Sequence, residues 1–183
     1  DFVVNRQEIP ALLRQSLRLP AGLNPQTRKL AEEWLAKFKT PEMISDAALN
    51  YFRQEEFFYT LQPPLLDQNA VDEFLFSTRS GFCEHYASAY VFLMRAAGVP
   101  ARVVAGYQGG EINPVDGYLA VRQSDAHAWA EIWIEDKGWI RVDPTAAVAP
   151  SRIEMGIEAA LPDGDPLPAL VRIDSDWLRD LRN

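Results

Sequence analysis

The sequence contains few of the residues that bind metals or form disulfides. Its 183 residues include one cysteine and two histidines. A single cysteine cannot form an internal disulfide, so the cysteine count does not decide the compartment. One cysteine and two histidines without paired ligand spacing do not make a zinc pattern, and no calcium loop of the EF-hand type occurs. The sequence therefore predicts neither a metal site nor another cofactor.

The chain also has no membrane-spanning apolar run and no excess of positive charge. No stretch approaches the roughly 20 apolar residues that cross a bilayer. The net charge of -8 argues against nucleic acid or anionic lipid as the main partner. There is no signal peptide, and the chain begins at Asp1 rather than Met, so we expect a piece of a larger protein. The apolar fraction of 48% and the length indicate one globular domain.

The single cysteine lies in a run that is typical of a nucleophile position. Cys83 follows Gly81, which we expect to adopt backbone angles closed to other residues. Residues 84–97 predict a helix that Gly98 and Pro100 end. The unpaired amides at the start of such a helix favour a thiolate and can donate to an oxyanion, the Cys83 amide first. The position alone leaves a buried, inert cysteine as the commoner alternative.

Two later runs supply an imidazole and a carboxylate. Residues 125–133 read DAHAWAEIW and contain His127, and residues 138–145 read GWIRVDPT and contain Asp143. Together with Cys83 they provide a thiol nucleophile, its base and a group that orients the base. The alternative is a structural histidine near a surface aspartate.

The alternation of apolar and polar residues predicts that these two runs are paired strands. We expect a hairpin with its turn centred on Glu135. That register places His127 opposite Asp143 and Ala130 opposite Ile140, which gives one coherent apolar face. A slip of one residue would reverse the faces of one strand relative to the other. The register therefore predicts that the carboxylate lies beside the imidazole.

The second imidazole, His85, is interpreted as a structural residue or as one that supports the site without reacting. It lies two residues from Cys83 on the same predicted helix, and side chains at that spacing do not face each other.

The rest of the sequence predicts helices before strands. Residues 1–23 predict a lead-in with little regular structure, Asn24 and Pro25 start a helix as N-cap and first residue, and Pro41 starts another that runs to about Arg53. This order indicates an α+β fold in which the N-terminal helices and the cysteine helix pack on an antiparallel sheet. The further predicted elements are a strand at 57–61, a helix at 70–76, strands at about 101–108, 117–122, 126–134 and 138–143, a helix at 151–160, an irregular stretch at 161–168 and a short turn at 176–181.

The three runs resemble the transglutaminase-like core, which has a papain-like arrangement of nucleophile helix and sheet. The motifs of that family, G-x-C-x-x-x-A, H-A-W-x-E and G-W-x-x-x-D-P-T, occur here at residues 81–87, 127–131 and 138–145. Within the family, the chain is similar to the bacterial membrane-anchored TgpA-like group. The resemblance covers about residues 55–147. We therefore divide the single globular unit into N-terminal helices at 1–54, a catalytic core at 55–147 and a partly irregular C-terminal segment at 148–183.

The resemblance implies an enzyme, a protein-glutamine gamma-glutamyltransferase without a cofactor. Cys83 would be the nucleophile, His127 the base and Asp143 the orienting carboxylate. The partners would be protein substrates, a glutamine donor and an amine acceptor such as lysine. The resemblance also implies a periplasmic soluble domain of a bacterial inner-membrane protein, attached to the membrane only through segments absent from this chain. A cysteine peptidase, amidase or deamidase with water as acceptor is the alternative, and a non-catalytic binding module is a third reading.

Three aromatic residues are candidates for the walls or the oxyanion site of the cleft. The family often supplies a second oxyanion donor from upstream of the nucleophile, and Tyr59 carries a hydroxyl donor 24 residues before Cys83. Trp129 and Trp139 lie on the same face of the predicted hairpin as His127. Each of the three has an alternative reading as a residue that packs on the core or covers the sheet.

Overall fold

Five helices and seven strands make up the part of the chain that the computed structural model describes, residues 10–151. The helices are α1 Pro10–Gln15, α2 Pro25–Lys37, α3 Pro41–Gln54, α4 Ala70–Glu73 and α5 Cys83–Ala96. The strands are β1 Phe58–Tyr59, β2 Ser80–Gly81, β3 Ala101–Tyr107, β4 Glu111–Ile112, β5 Leu119–Ala120, β6 Ala126–Ile134 and β7 Gly138–Val142. A π-helical turn Phe74–Thr78 follows α4, and 3-10 turns occur at Gln123–Asp125 and Pro144–Ala147.

The predicted elements are confirmed most closely where the local sequence signals are strongest. The helix that starts at Pro25, the helix that starts at Pro41 and the strand at 126–134 have the expected positions. The lead-in prediction is wrong at Pro10–Gln15, which is helical. The strand predicted at 117–122 is only the pair Leu119–Ala120. Apart from Ser151, the predictions for 151–160, 161–168 and 176–181 fall outside the described residues.

The starts of α2 and α4 cap each other through a set of buried side chains, which we call the capping cluster: Asn24, Thr27 and Asp72. The sequence predicted that Asn24 caps α2, but Asn24 has a left-handed φ of 54° and its side chain makes no capping hydrogen bond to that helix. Instead its Oδ1 accepts the N–H groups of Val71 and Asp72 at 3.0 and 3.1 Å. In return, Asp72 Oδ1 accepts the N–H of Thr27 at 2.8 Å and its hydroxyl at 2.6 Å. The N-cap position was predicted correctly, but the side chain caps the other helix.

The central layer is an antiparallel sheet with the strand order β3-β6-β7. Helix α5 packs on β6, and α2 and α3 both pack on α5. One hydrophobic cluster joins the N-terminal helices, α5 and the sheet, so these elements share a single core. Its fully buried large side chains include Phe52, Phe74, Leu75, Tyr86, Tyr90, Leu93, Met94 and Ile132. The α+β architecture agrees with the prediction.

The hairpin between β6 and β7 has a register two residues from the predicted one. Ala130 pairs with Val142 rather than with Ile140. The turn is centred on Asp136, which has a left-handed φ of 65°, and Gly138 follows at 83°. Because the shift is an even number of residues, each side chain stays on its predicted face. His127 and Asp143 are therefore diagonal neighbours rather than directly opposite.

Within residues 10–151, none of the helices combines the length and apolar character that a bilayer span requires.

Candidate active site

Cys83 is the first residue of α5, and Phe82 separates it from the short strand β2. Its side chain is almost fully buried, with 9% of the residue exposed, and it packs on Ala87 one turn later and on Ala128 of β6. Because both neighbours are alanines, the start of the helix lies close against the sheet. This placement agrees with the predicted helix start and brings the thiol to the strand that carries His127.

Gly81 is required for a different reason from the one that the sequence suggested. Its φ is not in the left-handed region. A Cβ at this position would instead lie 2.7 Å from Cβ and Cγ of His85 and 3.0 Å from the Phe74 ring. The glycine therefore serves a close approach rather than a special backbone angle.

His85 occupies the space that Gly81 leaves and supports the start of the nucleophile helix. Its Nδ1 accepts the N–H of Phe82, the residue before Cys83, at a long 3.4 Å. Burial lowers the pKa of His85 below its ordinary value, which favours the neutral ring that can accept this bond. These contacts support the structural interpretation of His85.

His127 is held from one side by Asp143. Its Nε2 lies 2.8 Å from Asp143 Oδ2, and the imidazole side chain is completely buried. The other carboxylate oxygen, Oδ1, accepts the N–H of Thr145 at 3.2 Å. An ionised carboxylate only accepts, so Nε2 carries the proton in this pair. The tautomer of a neutral imidazole then leaves Nδ1 as the basic nitrogen.

Nδ1 of His127 is buried and has no hydrogen bond of standard geometry to the described residues. Burial lowers the pKa of His127, but the hydrogen bond to Asp143 and the interaction with Cys83 outweigh it, so the pKa is raised above its ordinary value. Cys83 packs on Ala128, the residue that follows His127 in β6, so the thiol and the imidazole lie on neighbouring positions of the site.

Trp129 covers the imidazole on the same face of β6. Its ring stacks at 6.3 Å from the ring of His127, with 25° between the planes. Its far edge lies over Gly106 of β3, where a Cβ would come within 2.9 Å of the indole. The indole Nε1 is buried without a hydrogen bond to the described residues. The structure therefore brings this candidate next to His127.

Tyr59 and Trp139 have different relations to the site. Tyr59 pairs with Gly81 across the parallel strands β1 and β2, two residues before Cys83, and it is buried and stacked on Tyr86. Trp139 pairs with Trp133 at the turn end of the hairpin, and their ring centroids are 5.6 Å apart. Trp133 lies six positions after His127 in β6, which is about 20 Å of extended strand. The structure thus places Tyr59 beside the nucleophile segment and does not bring Trp139 to it.

A sequence model of the Transglutaminase-like superfamily matches residues 28–144. This chain belongs to the transglutaminase-like superfamily. The match starts inside α2 and ends at Pro144, directly after Asp143, so it includes Cys83, His127 and Asp143.

Two curated proteins illustrate the relationship. Over 175 residues, the chain is 51% identical to a protein-glutamine gamma-glutamyltransferase of Pseudomonas aeruginosa. The aligned region covers 92% of this chain and 26% of that protein. The chain is 33% identical over 136 residues to the uncharacterized protein YebA of Bacillus subtilis, covering 70% of this chain and 18% of that protein. The chain therefore spans about a quarter or less of the length of these relatives.

Solved structures agree with this assignment. The periplasmic domain of TgpA from Pseudomonas aeruginosa superimposes with a TM-score of 0.82 at 52% identity, over 85% of this chain and 54% of that one. A putative cysteine protease from Cytophaga hutchinsonii has a TM-score of 0.50 at 23% identity, over 78% of this chain and 47% of that one, and it shows the fold alone. The transglutaminase-like fold is thus confirmed.

The structure also adds residues to the transglutaminase-like site that the sequence did not single out. Gly106 makes room for Trp129, and Arg141 places its guanidinium 4.3 Å from the centre of the Trp129 ring. The alternation of residues in β7 placed Arg141 on the same face of the sheet as Asp143, so the sequence held part of the information about the position of Arg141. Gly106 carried no local signal, because its contact comes from a different strand. Among residues 10–151, no group of three or more His, Cys, Asp or Glu side chains is placed to hold a metal ion.

Proposed function

We propose that this domain is a cysteine-dependent acyltransferase that moves the γ-glutamyl group of a protein glutamine onto a primary amine such as a lysine side chain. One observation carries the proposal: His127 is fixed at Nε2 by Asp143, its buried Nδ1 has no hydrogen bond to the described residues, and Cys83 packs on the adjacent Ala128. An imidazole held in this way can take a proton at one defined atom.

In the first half of the proposed reaction, the Cys83 thiol gives its proton to Nδ1 of His127. The thiolate attacks the carboxamide carbon of glutamine, and the imidazolium returns the proton to the departing ammonia, which leaves a thioester. The raised pKa of His127 suits this step, since the imidazole must hold the proton while the tetrahedral intermediate exists. Asp143 keeps the ring in the required tautomer and orientation.

The charge that develops on the carbonyl oxygen needs donors that are already in place. The backbone N–H of Cys83, at the start of α5, is the first donor that we propose. Tyr59 is a second candidate, because its strand pairs with the segment that leads into Cys83. Both remain proposals for the oxyanion site.

In the second half, the amine attacks the thioester carbon and forms the amide bond while His127 takes the amine proton. The C–S bond then breaks, and Cys83 leaves as the thiolate, ready for the next cycle. Water competes for the same intermediate at about 55 M, so an amine wins only if the site orients it or keeps water away. Trp129 is placed to provide such a wall, since it stacks on His127 and packs over Gly106. Trp139 is no longer proposed for this role, because it lies at the other end of the hairpin.

The relatives support the substrate class and the compartment. The 51% identical protein is named a protein-glutamine gamma-glutamyltransferase. The likeness to the periplasmic domain of TgpA supports a periplasmic location for this domain as well. Since the chain spans 26% of that enzyme, the activity and partners of the longer protein belong to the proposal.

The test uses a glutamine-containing peptide, a labelled primary amine and mass spectrometry of the products. We expect a stable amide adduct that requires Cys83, with release of ammonia. Trp129→Ala should shift the product from amide toward glutamate, and Trp139→Ala is the matched control that should not. If the wild-type protein yields only glutamate or cleaved backbone, the hydrolase alternative replaces the transferase.

A further inference from the structure

Arg141 of β7 points away from its cross-strand partner and toward the candidate active site. Its partner in the sheet is Glu131. Glu131, however, is bound from the other side by Arg102, whose Nη2 lies 2.8 Å from Glu131 Oε2. The guanidinium of Arg141 instead extends over Trp129 and along the face that carries Asp143.

Three contacts hold the Arg141 guanidinium in that position. It lies 4.3 Å from the centre of the Trp129 ring, its Nη2 donates to Gln108 Oε1 at 2.9 Å, and the same nitrogen lies 3.5 Å from Asp143 Oδ2. The last contact is long for a hydrogen bond, but it joins a full positive charge to the oxygen that accepts Nε2–H of His127. Arg141 thus contacts two neighbours of the imidazole, Asp143 and Trp129.

We propose that Arg141 is a positioning residue that holds the Asp143 carboxylate and the Trp129 indole in the arrangement that orients His127. The proposal rests on the proposed acyl transfer for its kinetic part only. Asp143 has Thr145 on one oxygen and His127 on the other, and Arg141 adds a donor on the His127 side. A planar guanidinium can stack on an aromatic ring and donate from its edge at once, which a lysine ammonium cannot.

The sheet contains a matched control for this arrangement. Arg102 lies 4.0 Å from the centre of the Trp139 ring and pairs with Glu131, so it also combines a tryptophan with a carboxylate. The Arg102 side chain is 44% exposed and that of Arg141 49%. Substitution of either arginine removes the same charge from the same sheet, but only Arg141 adjoins Asp143.

The experiment compares Arg141→Met, Arg141→Lys and Arg102→Met in the folded domain. We expect Arg141→Met to lower kcat by about tenfold with little change in KM for the amine, because a misplaced base affects the chemical step rather than binding. Arg141→Lys should recover only part of the loss, since it keeps the charge without the stacked fork. Arg102→Met should keep the wild-type kcat.

A second readout does not depend on turnover. In protein with ¹⁵N-labelled histidine, the Nε2 proton of His127 should exchange with water about tenfold faster in Arg141→Met than in wild type, because the bond to Asp143 opens more often. His85 is the internal reference and should not change. The proposal is overturned if kcat and the His127 proton are both unchanged in Arg141→Met, or if Arg102→Met changes them equally. A protein without transferase activity would still show the faster exchange, so the two proposals fail separately.

Discussion

The capping cluster and the candidate active site are both buried groups of polar side chains drawn from distant parts of the chain, but they differ in how completely they are hydrogen bonded. In the capping cluster, Asp72 accepts three hydrogen bonds and Asn24 two from the facing helix starts. At the site, His127 Nδ1, Trp129 Nε1 and Thr145 Oγ1 are buried without a hydrogen bond to any residue of the range 10–151.

This difference in hydrogen bonding distinguishes a group that stabilises the fold from a group that is suited to a reaction. A buried polar atom without a partner costs about 1–3 kcal/mol, while a satisfied cluster offsets the cost of its burial. The capping cluster therefore contributes to the stability of the N-terminal helices. The site instead keeps a basic nitrogen uncommitted beside a thiol, which a reaction needs and a stable fold does not. Substitutions in the two regions should accordingly have opposite consequences for activity and stability.

The largest expected effect is on activity at the site. Cys83→Ala should lower amine incorporation by roughly 10⁴-fold or more, because the other members of such a group cannot replace the nucleophile. Its free energy of unfolding should change by less than about 1 kcal/mol, since only a small side chain is truncated. Amine incorporation and urea unfolding measure the two quantities. Wild-type rates in this variant would remove Cys83 from the mechanism.

The next effect is on stability, in the capping cluster. Asp72→Ala should lower the free energy of unfolding by about 2–4 kcal/mol, because it leaves the N–H groups of Gln26 and Thr27 without their acceptor. The kcat of the folded protein should be unchanged. Urea unfolding gives the stability, with Asp67→Ala as the control, since Asp67 is exposed and accepts an exposed hydrogen bond from the N–H of Gln68. Equal effects of the two substitutions would contradict the comparison.

Two fully buried threonines, one in each region, allow the capping cluster and the candidate site to be compared with the same substitution, threonine to valine. Thr27 donates its hydroxyl to Asp72 Oδ1 at 2.6 Å, whereas Thr145 Oγ1 has no partner among the described residues. Thr27→Val should therefore cost about 1–3 kcal/mol, while Thr145→Val should be neutral or stabilise by a few tenths of a kcal/mol, roughly. Thermal unfolding of both variants measures this difference. If Thr145→Val is the more damaging of the two, its hydroxyl has a function that the hydrogen bonds do not show.

The smallest expected effect is a change in folding stability with pH. The folded pKa of His127 is raised above its ordinary value of 6.5, so protonation of this group favours the folded state. Its contribution is fully present below about pH 6.5 and is lost as the pH rises through the folded pKa. The stability of wild type relative to His127→Gln should therefore fall over that window. His85, whose pKa is lowered, contributes with the opposite sign in both proteins and cancels in the difference. A difference that does not vary with pH would contradict the raised pKa.

The parts of the fold that local sequence determines were predicted well. Pro25 and Pro41 start helices because proline at the first position lacks only a donor that a helix start does not use. The alternation of β6 and β7 predicted the correct faces, because side chains alternate along any strand. The register was wrong by two residues, since the turn depends on the left-handed backbone of Asp136, which no alternation pattern encodes.

The candidate site shows the same division. Local runs predicted Cys83, His127 and Asp143 as candidates. In the structure, His127 is hydrogen bonded to Asp143, and Cys83 packs on the adjacent Ala128. The helix that Asn24 caps, the contact that requires Gly81 and the distance between Trp139 and the site were not predicted. Each depends on which other element lies alongside.

The sequence by itself determined the starts of α2, α3 and α5, the strand faces and the three candidate residues, because backbone preferences and side-chain types act within a few residues. Only the tertiary structure decided which atoms meet: Nε2 of His127 with Asp143, Trp129 over Gly106, and Arg141 with Asp143 rather than Glu131. Those contacts join residues on different elements, and packing of the whole core selects among arrangements that local preference leaves equivalent.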